Sequence, residues 1–351
     1  MARELITDSP DFLRNCWYVA GRSVDFVSSL RAVRLLAEDI VIFRGENGEP
    51  IALEDACPHR KLPLSMGSIS GSTVVCGYHG LTFDSKGHCV AAPTQQNTIP
   101  KRAVVRSYPV EDRWGFVWIW MGDAARADTN DIVDIPNFTS PNWATTDLGA
   151  LSMECNYLYI IDNLLDPSHV AWVHVTSFAG AGTDTLPLDI EDHGDTLVVS
   201  RWIMGQPAPP YYLKMLPFGD NCDRKQHYEC RMPSTAINMS VYTKAGLGGP
   251  QKPVPDSAFL NISYNFITPV DKDNSLYFWF QHRNMHAEDE ELSKYMFEGA
   301  TMAFNEDKEV LERVHRGMKE RKTPYLNLGL DAGAMRFRRK VESRIEAEMA
   351  D

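Results

Sequence analysis

The stretch Cys57–Gly80, CPHRKLPLSMGSISGSTVVCGYHG, governs how the rest of the chain is read. It presents Cys57 and His59 as Cys-x-His, then Cys76 and His79 as Cys-x-x-His, in a segment otherwise made of strand-forming and turn residues. Two thiols and two imidazoles at such spacings point to a metal site. A structural zinc knuckle is one candidate, although there the like ligands are commonly grouped as Cys-x-x-Cys and His-x-x-x-His. Here each pair is mixed, which suits two loops that each offer one thiolate and one imidazole to a two-iron cluster. One iron then has sulfur ligands and the other nitrogen, and the neutral imidazoles raise the reduction potential. Pro58 and Gly77 sit inside the pairs and Gly80 follows the second, where backbone must turn tightly and aim N–H groups at a cluster. On these residues alone the zinc alternative stays open. His88 and Cys89 fall outside the pattern and read as structural, Cys89 as a buried thiol.

Outward from this stretch, residues 11–125 consist of short strand-like runs such as RAVRLLAEDIVIFRG and WGFVWIWMG, separated by Gly, Pro, Asn and Ser. They predict an all-β module. Residues 126–148 are polar and punctuated by proline, the composition of a linker. Residues 149–351 change pattern: a helical segment over roughly 156–175, alternating strands (DTLVVSRWIM, TAINMSVYT, NISYNFITP, SLYFWFQHR), a long helix through EDEELSKYMFEGATMAFNEDKEVLERVHRGMKER, and a last charged helix. The fold class expected is α+β, an all-β domain followed by an α+β domain.

A chain of 351 residues fits two domains. Its net charge of −12 opposes general attraction to nucleic acid or an anionic membrane. No apolar run approaches the roughly 18 residues of a spanning helix. MARELITDSP lacks the charged and apolar regions of a signal peptide, so the expected location is cytoplasmic. Seven widely spread cysteines suit ligands and buried thiols better than a disulfide framework.

CPHRKLPLSMG with CGYHGLTFD resembles the [2Fe-2S] segment of the Rieske non-haem iron oxygenases, and the likeness extends to NCWYVAG and RWGFVWIWMGD. The resemblance implies an N-terminal Rieske domain and a helix-grip-like catalytic domain, in which helices pack on a curved antiparallel sheet. It makes Cys57, His59, Cys76 and His79 the cluster ligands. A Rieske cluster moves single electrons and performs no substrate chemistry, so an oxygenase also needs an oxygen-activating metal. The pattern to look for is two histidines and one carboxylate, with positions left open.

YIIDNLLDPSHVAWVHVTS, residues 159–177, contains such a set. Asn163, Asp166 and His169 recur every three residues, which predicts one side of a helix, with His174 on the next turn or just beyond. Asp166 and Pro167 read as the N-cap and first residue of a restarted helix. The plainer reading is a capping aspartate and two core histidines. For the carboxylate, Asp307 stands among Ala303, Phe304, Val310, Leu311 and Val314 at helical spacings, inside an apolar stripe, while Glu306 and Glu309 are expected on other faces. A carboxylate buried there costs several kcal/mol unless it is paired or coordinated. DNLLDPSHVAWVH and FNEDKEVLE resemble the family's mononuclear-iron motif and the helix carrying its aspartate. The resemblance makes His169, His174 and Asp307 ligands of a non-haem Fe(II), with Asn163 beside the metal.

The same resemblance implies a ring-shaped homotrimer in which Asp166 stands between His79 of a neighbouring copy and His169 of its own chain. The layout is similar to oxygenases of the vanillate O-demethylase, toluenesulfonate methyl-monooxygenase and dicamba demethylase type, and LNLGLDAGAMRFRRKVESRIEAE resembles the end of the vanillate enzymes. This implies a terminal oxygenase that uses O2 on the methoxy or methyl group of a small aromatic, with ring or N-methyl hydroxylation as the alternative. A non-enzymatic Rieske electron carrier is a further possibility. No flavin or nicotinamide fingerprint occurs, so electrons are expected from a separate reductase or ferredoxin. Asn238 falls where dicamba demethylase has a substrate-binding Asn, and Asn265 replaces a His found there. GQPAPPYYLKMLPFGD is a candidate lid or pocket wall, with Lys214 a candidate carboxylate partner.

Overall fold

The computed structural model describes residues 11–218 and 221–350, and the chain divides into two units. One comprises Phe12–Asp134 with the returning segment Thr268–Asp271. The other comprises Ile135–Ile267 and the chain from Lys272 onward, so the boundary falls within the polar 126–148 stretch. No helix among the described residues is long and apolar enough to cross a membrane.

The first unit holds eleven strands: β1 (Trp17–Arg22), β2 (Arg31–Leu35), β3 (Glu38–Arg44), β4 (Pro50–Glu54), β5 (Ser68–Ser70), β6 (Thr73–Val75), β7 (Thr82–Phe83), β8 (Cys89–Ala91), β9 (Ser107–Tyr108), β10 (Val110–Arg113) and β11 (Phe116–Trp120). They form three antiparallel sheets, ordered β1-β11-β10, β2-β3-β4-β9 and β5-β6-β7-β8. All five residues of β11, FVWIW, are buried, and that continuous apolar run takes the central place between β1 and β10. Val41, Phe43, Leu53, Leu64, Val74 and Phe83 pack in one core that also contains Cys57 and Cys76. Each such phenylalanine contributes roughly 1.5–3 kcal/mol by leaving water, so the thiols are held by well-anchored strands. The returning segment closes the unit: the N–H groups of Leu36 and Ala37 donate to Pro269 O at 2.9 Å and Val270 O at 2.8 Å.

The second unit is built on an eight-stranded sheet. Its strands are β12 (Ala144–Thr145), β13 (Gly149–Met153), β14 (Asp189–Asp192), β15 (Thr196–Pro207), β16 (Asn221–Arg231), β17 (Thr235–Lys244), β18 (Phe259–Pro269) and β19 (Ser275–Arg283). The order is β12-β19-β18-β17-β16-β15-β14, with β13 also paired to β19. Four α-helices accompany it among the described residues: α1 (Tyr157–Leu164), α2 (Val170–Val173), α3 (Glu290–Glu320) and α4 (Ala332–Ala350). β16, NCDRKQHYECR, lacks the apolar alternation that marks its neighbours, yet it pairs with β17 from Cys222 to Arg231.

The helices place the histidines and Asp307. α1 starts at Asn156, whose side chain accepts from Leu158 N at 3.0 Å. It ends at Leu164, so Asn163, Asp166 and His169 do not share one helix as the three-residue spacing predicts. Pro167 has no N–H and disfavours helical backbone at Asp166, and the chain turns there. α2 is a single turn that begins after His169. α3 is capped by the Asp289 side chain, which accepts from Leu292 N at 2.8 Å, with Glu290 and Glu291 in its first turn. Its buried stripe runs through Leu292, Met296, Ala300, Ala303, Asp307, Leu311 and His315. Val310 and Val314, expected in that stripe, are 38% and 40% exposed.

Candidate cluster and metal centres

In the first unit two loops of matching form carry the ligand pairs. Cys57 N donates to Leu62 O and Lys61 N to Cys57 O; nineteen residues on, Cys76 N donates to Leu81 O and Gly80 N to Cys76 O, all at 2.8–3.1 Å. The fourth residue after each cysteine has left-handed backbone, Lys61 at φ 58° and Gly80 at φ 72°. A glycine meets that need without strain. The two thiols are buried, and burial pushes the Cys57 thiol up. The two imidazoles lie toward the surface with their Nδ1 atoms 3.1 Å apart. Two nitrogens each about 2.0–2.1 Å from one tetrahedral metal stand roughly 3.3 Å apart, so the imidazoles fit donors to a shared metal. Asp55 braces the loop between them, accepting from Ser65 N at 2.7 Å and Ser65 Oγ at 2.6 Å. Cys89, expected to be structural, is buried with its Sγ 3.2 Å from Ala91 O.

In the second unit His169, His174 and Asp307 converge, with one potential ligand atom from each within 4.8 Å of the others. Asp307 Oδ1 lies 3.3 Å from His174 Nε2 and 3.6 Å from His169 Nε2. It also accepts from Asn163 Nδ2 at 3.1 Å. The outer nitrogens are both held: His169 Nδ1 donates to the main-chain carbonyl of Asp166 at 2.5 Å, and His174 Nδ1 to Glu306 Oε2 at 2.7 Å. Such partners fix the ring orientation of a ligating histidine. Burial opposes charge on His174, but Asp307 and Glu306 outweigh it and hold its pKa above the ordinary value.

Two expectations change here. Glu306 is turned to His174 rather than to an unrelated face. Asp166 reaches His169 through its carbonyl, while its carboxylate Oδ1 accepts from Ser168 N at 2.7 Å and closes the turn before α2.

Beside the three converging side chains lies a cavity of about 100 Å3, lined by one face of the sheet. Alternate residues of three neighbouring strands contribute: Arg224, Gln226 and Tyr228; Asn238, Ser240 and Tyr242; Asn261, Ser263 and Asn265. This polar face explains why β16 carries no apolar alternation. Burial raises the pKa of Tyr212, Tyr228 and Tyr242, which therefore face the cavity as neutral hydroxyls. Asn265 donates to Ala236 O and Ser263 O and accepts from Ser263 Oγ and Tyr277 Oη, so its amide is fully engaged by the protein. Asn238 donates to Leu164 O at 3.3 Å, but its Oδ1 is buried without a partner, as is Asn261 Oδ1. From the proline-rich loop Tyr212 lines the cavity and Tyr211 Oη donates to Gln281 Oε1 at 2.7 Å. Lys214 instead lies over the Tyr295 ring, 4.4 Å from its centroid.

The Rieske [2Fe-2S] domain family matches residues 16–109, and the vanillate O-demethylase oxygenase C-terminal domain family matches residues 153–347. The chain belongs to the vanillate O-demethylase family of Rieske oxygenases. The Rieske match decides between the cluster and the zinc knuckle. This Rieske oxygenase is similar to the toluene-4-sulfonate monooxygenase system iron-sulfur subunit of Comamonas testosteroni, with 34% identity over 96% of this chain and 98% of that one. It is also similar to a vanillate O-demethylase oxygenase subunit of Pseudomonas sp., with 36% identity over 89% and 96%. The crystal structure of dicamba monooxygenase bound to 3,6-dichlorosalicylic acid superposes with a TM-score of 0.90 at 28% identity, covering 97% of this chain and all of that one. The relatives are oxygenase components, and this chain is an enzyme of that kind.

Proposed function

We propose that this chain is the terminal oxygenase of a multicomponent system, oxidising the methoxy or methyl group of a one-ring aromatic with O2. Electrons come from a separate reductase, directly or through a ferredoxin. The observation that carries this reading is the meeting of His169, His174 and Asp307 at a cavity walled by polar residues of the sheet on one side and apolar residues such as Phe178 and Phe304 on the other. Their donor set, two imidazoles and one carboxylate, suits a non-haem Fe(II) with open positions. A cavity of about 100 Å3 is smaller than the roughly 150 Å3 that takes up benzene in a protein core, which favours a single ring over a fused ring system.

Cys57, His59, Cys76 and His79 would hold the [2Fe-2S] cluster, and His169, His174 and Asp307 the iron. Bound there, the cluster supplies electrons and the iron activates oxygen. The protein's part is placement. Asp166 O and Glu306 keep both imidazole Nε2 atoms aimed inward, and Asn163 steadies Asp307. Tyr212, Tyr228 and Tyr242 enclose the ring, and Asn238 Oδ1 offers it an acceptor. In O-demethylation one oxygen atom enters the methyl carbon and the other leaves as water, with two electrons and two protons consumed. The resulting hemiacetal collapses to a phenol and formaldehyde.

The homotrimer belongs to this proposal, with Asp166 linking His79 of the partner subunit to His169. Trp172, 75% exposed beside His169 and His174, supports a covered surface there. Residence in a reducing cytoplasm is supported by Cys89, Cys155, Cys222 and Cys230, which are buried as free thiols.

A single turnover tests the function. Chemically reduced, iron-loaded protein is mixed with O2 and a panel of methoxy-, methyl- and unsubstituted aromatics. Formaldehyde from a methoxy compound is the expected result. A benzylic alcohol would place the oxidation on a methyl group, a ring diol would move the reaction to the alternative, and no product from any compound would refute the oxygenase reading.

A further inference from the structure

Arg224 stands on β16 in the wall of the cavity shared with His169, His174 and Asp307, and it is 2% exposed. Its Nη2 donates to Ala181 O at 2.8 Å and Thr183 Oγ1 at 3.1 Å, both neutral acceptors. Its Nε is buried without any acceptor. Gly180 makes room for the group: a Cβ there would fall 2.5 Å from Nη1 and 2.8 Å from Nη2. The adjacent acid, Asp223, faces the other side of the sheet, where its carboxylate accepts from Gly205 N, Gly246 N and Gly248 N at 2.7–3.1 Å. On the next strand Arg201 is also buried and also bonded only to neutral acceptors, Gln226 Oε1, Leu186 O and Pro167 O. Arg201 has the carboxylates of Asp166 and Asp184 near it, whereas Arg224 has no carboxylate hydrogen-bonded to it among the described residues.

An uncompensated buried cation is costly unless a ligand supplies the opposite charge. We propose that Arg224 selects the substrate by pairing with an anionic group on its ring, a carboxylate or a sulfonate. The sheet register places the group usefully. Tyr228 pairs with Asn238, whose amide bonds Leu164 O beside Asn163, whereas Arg224 pairs with Tyr242 four residues away, about 13 Å along the strand. Arg224 thus holds the anion toward one end of the cavity while the opposite end of the ring meets the histidines. The unpartnered Nε offers either oxyanion one charge-assisted donor.

This inference rests on the cavity being the oxygenase's substrate site, and the experiment separates the two. Protein carrying both metals is titrated calorimetrically with benzoate, benzenesulfonate and neutral benzamide, then given single turnovers with 4-methoxybenzoate and 4-methoxybenzamide. The wild type should favour an anion over its neutral counterpart by roughly tenfold to a hundredfold, the range for a hydrogen bond to a charged group. Benzoate against benzenesulfonate shows which oxyanion the site prefers. Arg224→Gln should remove the preference while leaving the cluster spectrum unchanged, and Arg224→Lys should keep part of it. A wild type with no preference for anions, or an Arg224→Gln protein that retains it, would overturn the assignment. If Arg224→Gln does not fold, an Arg224→Lys protein with undiminished preference would do the same. Arg224-dependent anion binding without any oxidised product would refute the oxygenase reading and leave this one standing. Equal turnover of acid and amide would do the reverse.

Discussion

Replacing Glu306 by alanine removes the carboxylate that accepts from His174 Nδ1 at 2.7 Å, without touching an inward-facing ligand atom. A hydrogen bond to a charged group contributes about 1.5–3 kcal/mol. The Glu306 side chain is 33% exposed, so screening favours the lower end, about 1.5 kcal/mol. This corresponds to roughly a tenfold weaker hold on iron, at the low end of the tenfold to hundredfold typical of groups that orient a ligating histidine. Glutamine keeps an acceptor without the charge and should lose only about threefold, roughly half that free energy. The assay is competition for Fe(II) against a chromophoric chelator, with the cluster absorbance followed in the same cuvette. Turnover by Glu306→Ala should recover when iron is in excess. An unchanged iron affinity would refute the positioning role, and a parallel loss of cluster absorbance would show that the substitution disturbs the fold instead.

The two centres should come apart by mutation. His79→Ala should abolish the cluster's visible spectrum and leave Fe(II) binding intact, whereas His169→Ala should do the opposite and abolish turnover. Asp307→Ala should weaken iron binding by more than the roughly hundredfold upper limit for an orienting partner, as titration would show. In metal-free protein the same change strands Asn163 Nδ2 and takes a buried partner from His174, so the melting temperature of the catalytic unit should fall. Arg338 on α4 makes a two-pronged bond to Asp162 on α1, the Nε arm at 2.9 Å. Arg338→Ala strands that carboxylate, and because Asp162 is 28% exposed the cost should be about 2 kcal/mol rather than the roughly 3–5 of a fully buried pair, read by chemical denaturation.

Much of this protein is legible where the determinants are local. The four candidate cluster ligands sit in two short loops whose spacing reflects a turn geometry that no distant residue has to complete. Asp307 is legible because helical periodicity sets it against apolar neighbours, even though Val310 and Val314 turn out to be exposed. β16 escapes a search for apolar alternation because its inward residues line a polar cavity and its outward ones form pairs such as His227 with Glu229. Glu306 escapes because a position one residue from Asp307 projects about 100° away on the helix, and nothing in the sequence says that His174 approaches from that side. Asp166 is named for its carboxylate, yet a carbonyl that any residue could supply makes the contact to His169.

His174 and Glu306 are separated by 132 positions in the chain, and between them lie the last six strands of the catalytic sheet. The histidines leave the ribosome long before their carboxylate partners exist, so a growing chain has no place to keep iron until the sheet is complete and α3 has docked. Metal loading is therefore a late event in the life of each molecule. Once bound, the ion ties the turn at His174 to α3 across that whole interval, beside the still longer closure of 176 positions made by Asp162 and Arg338.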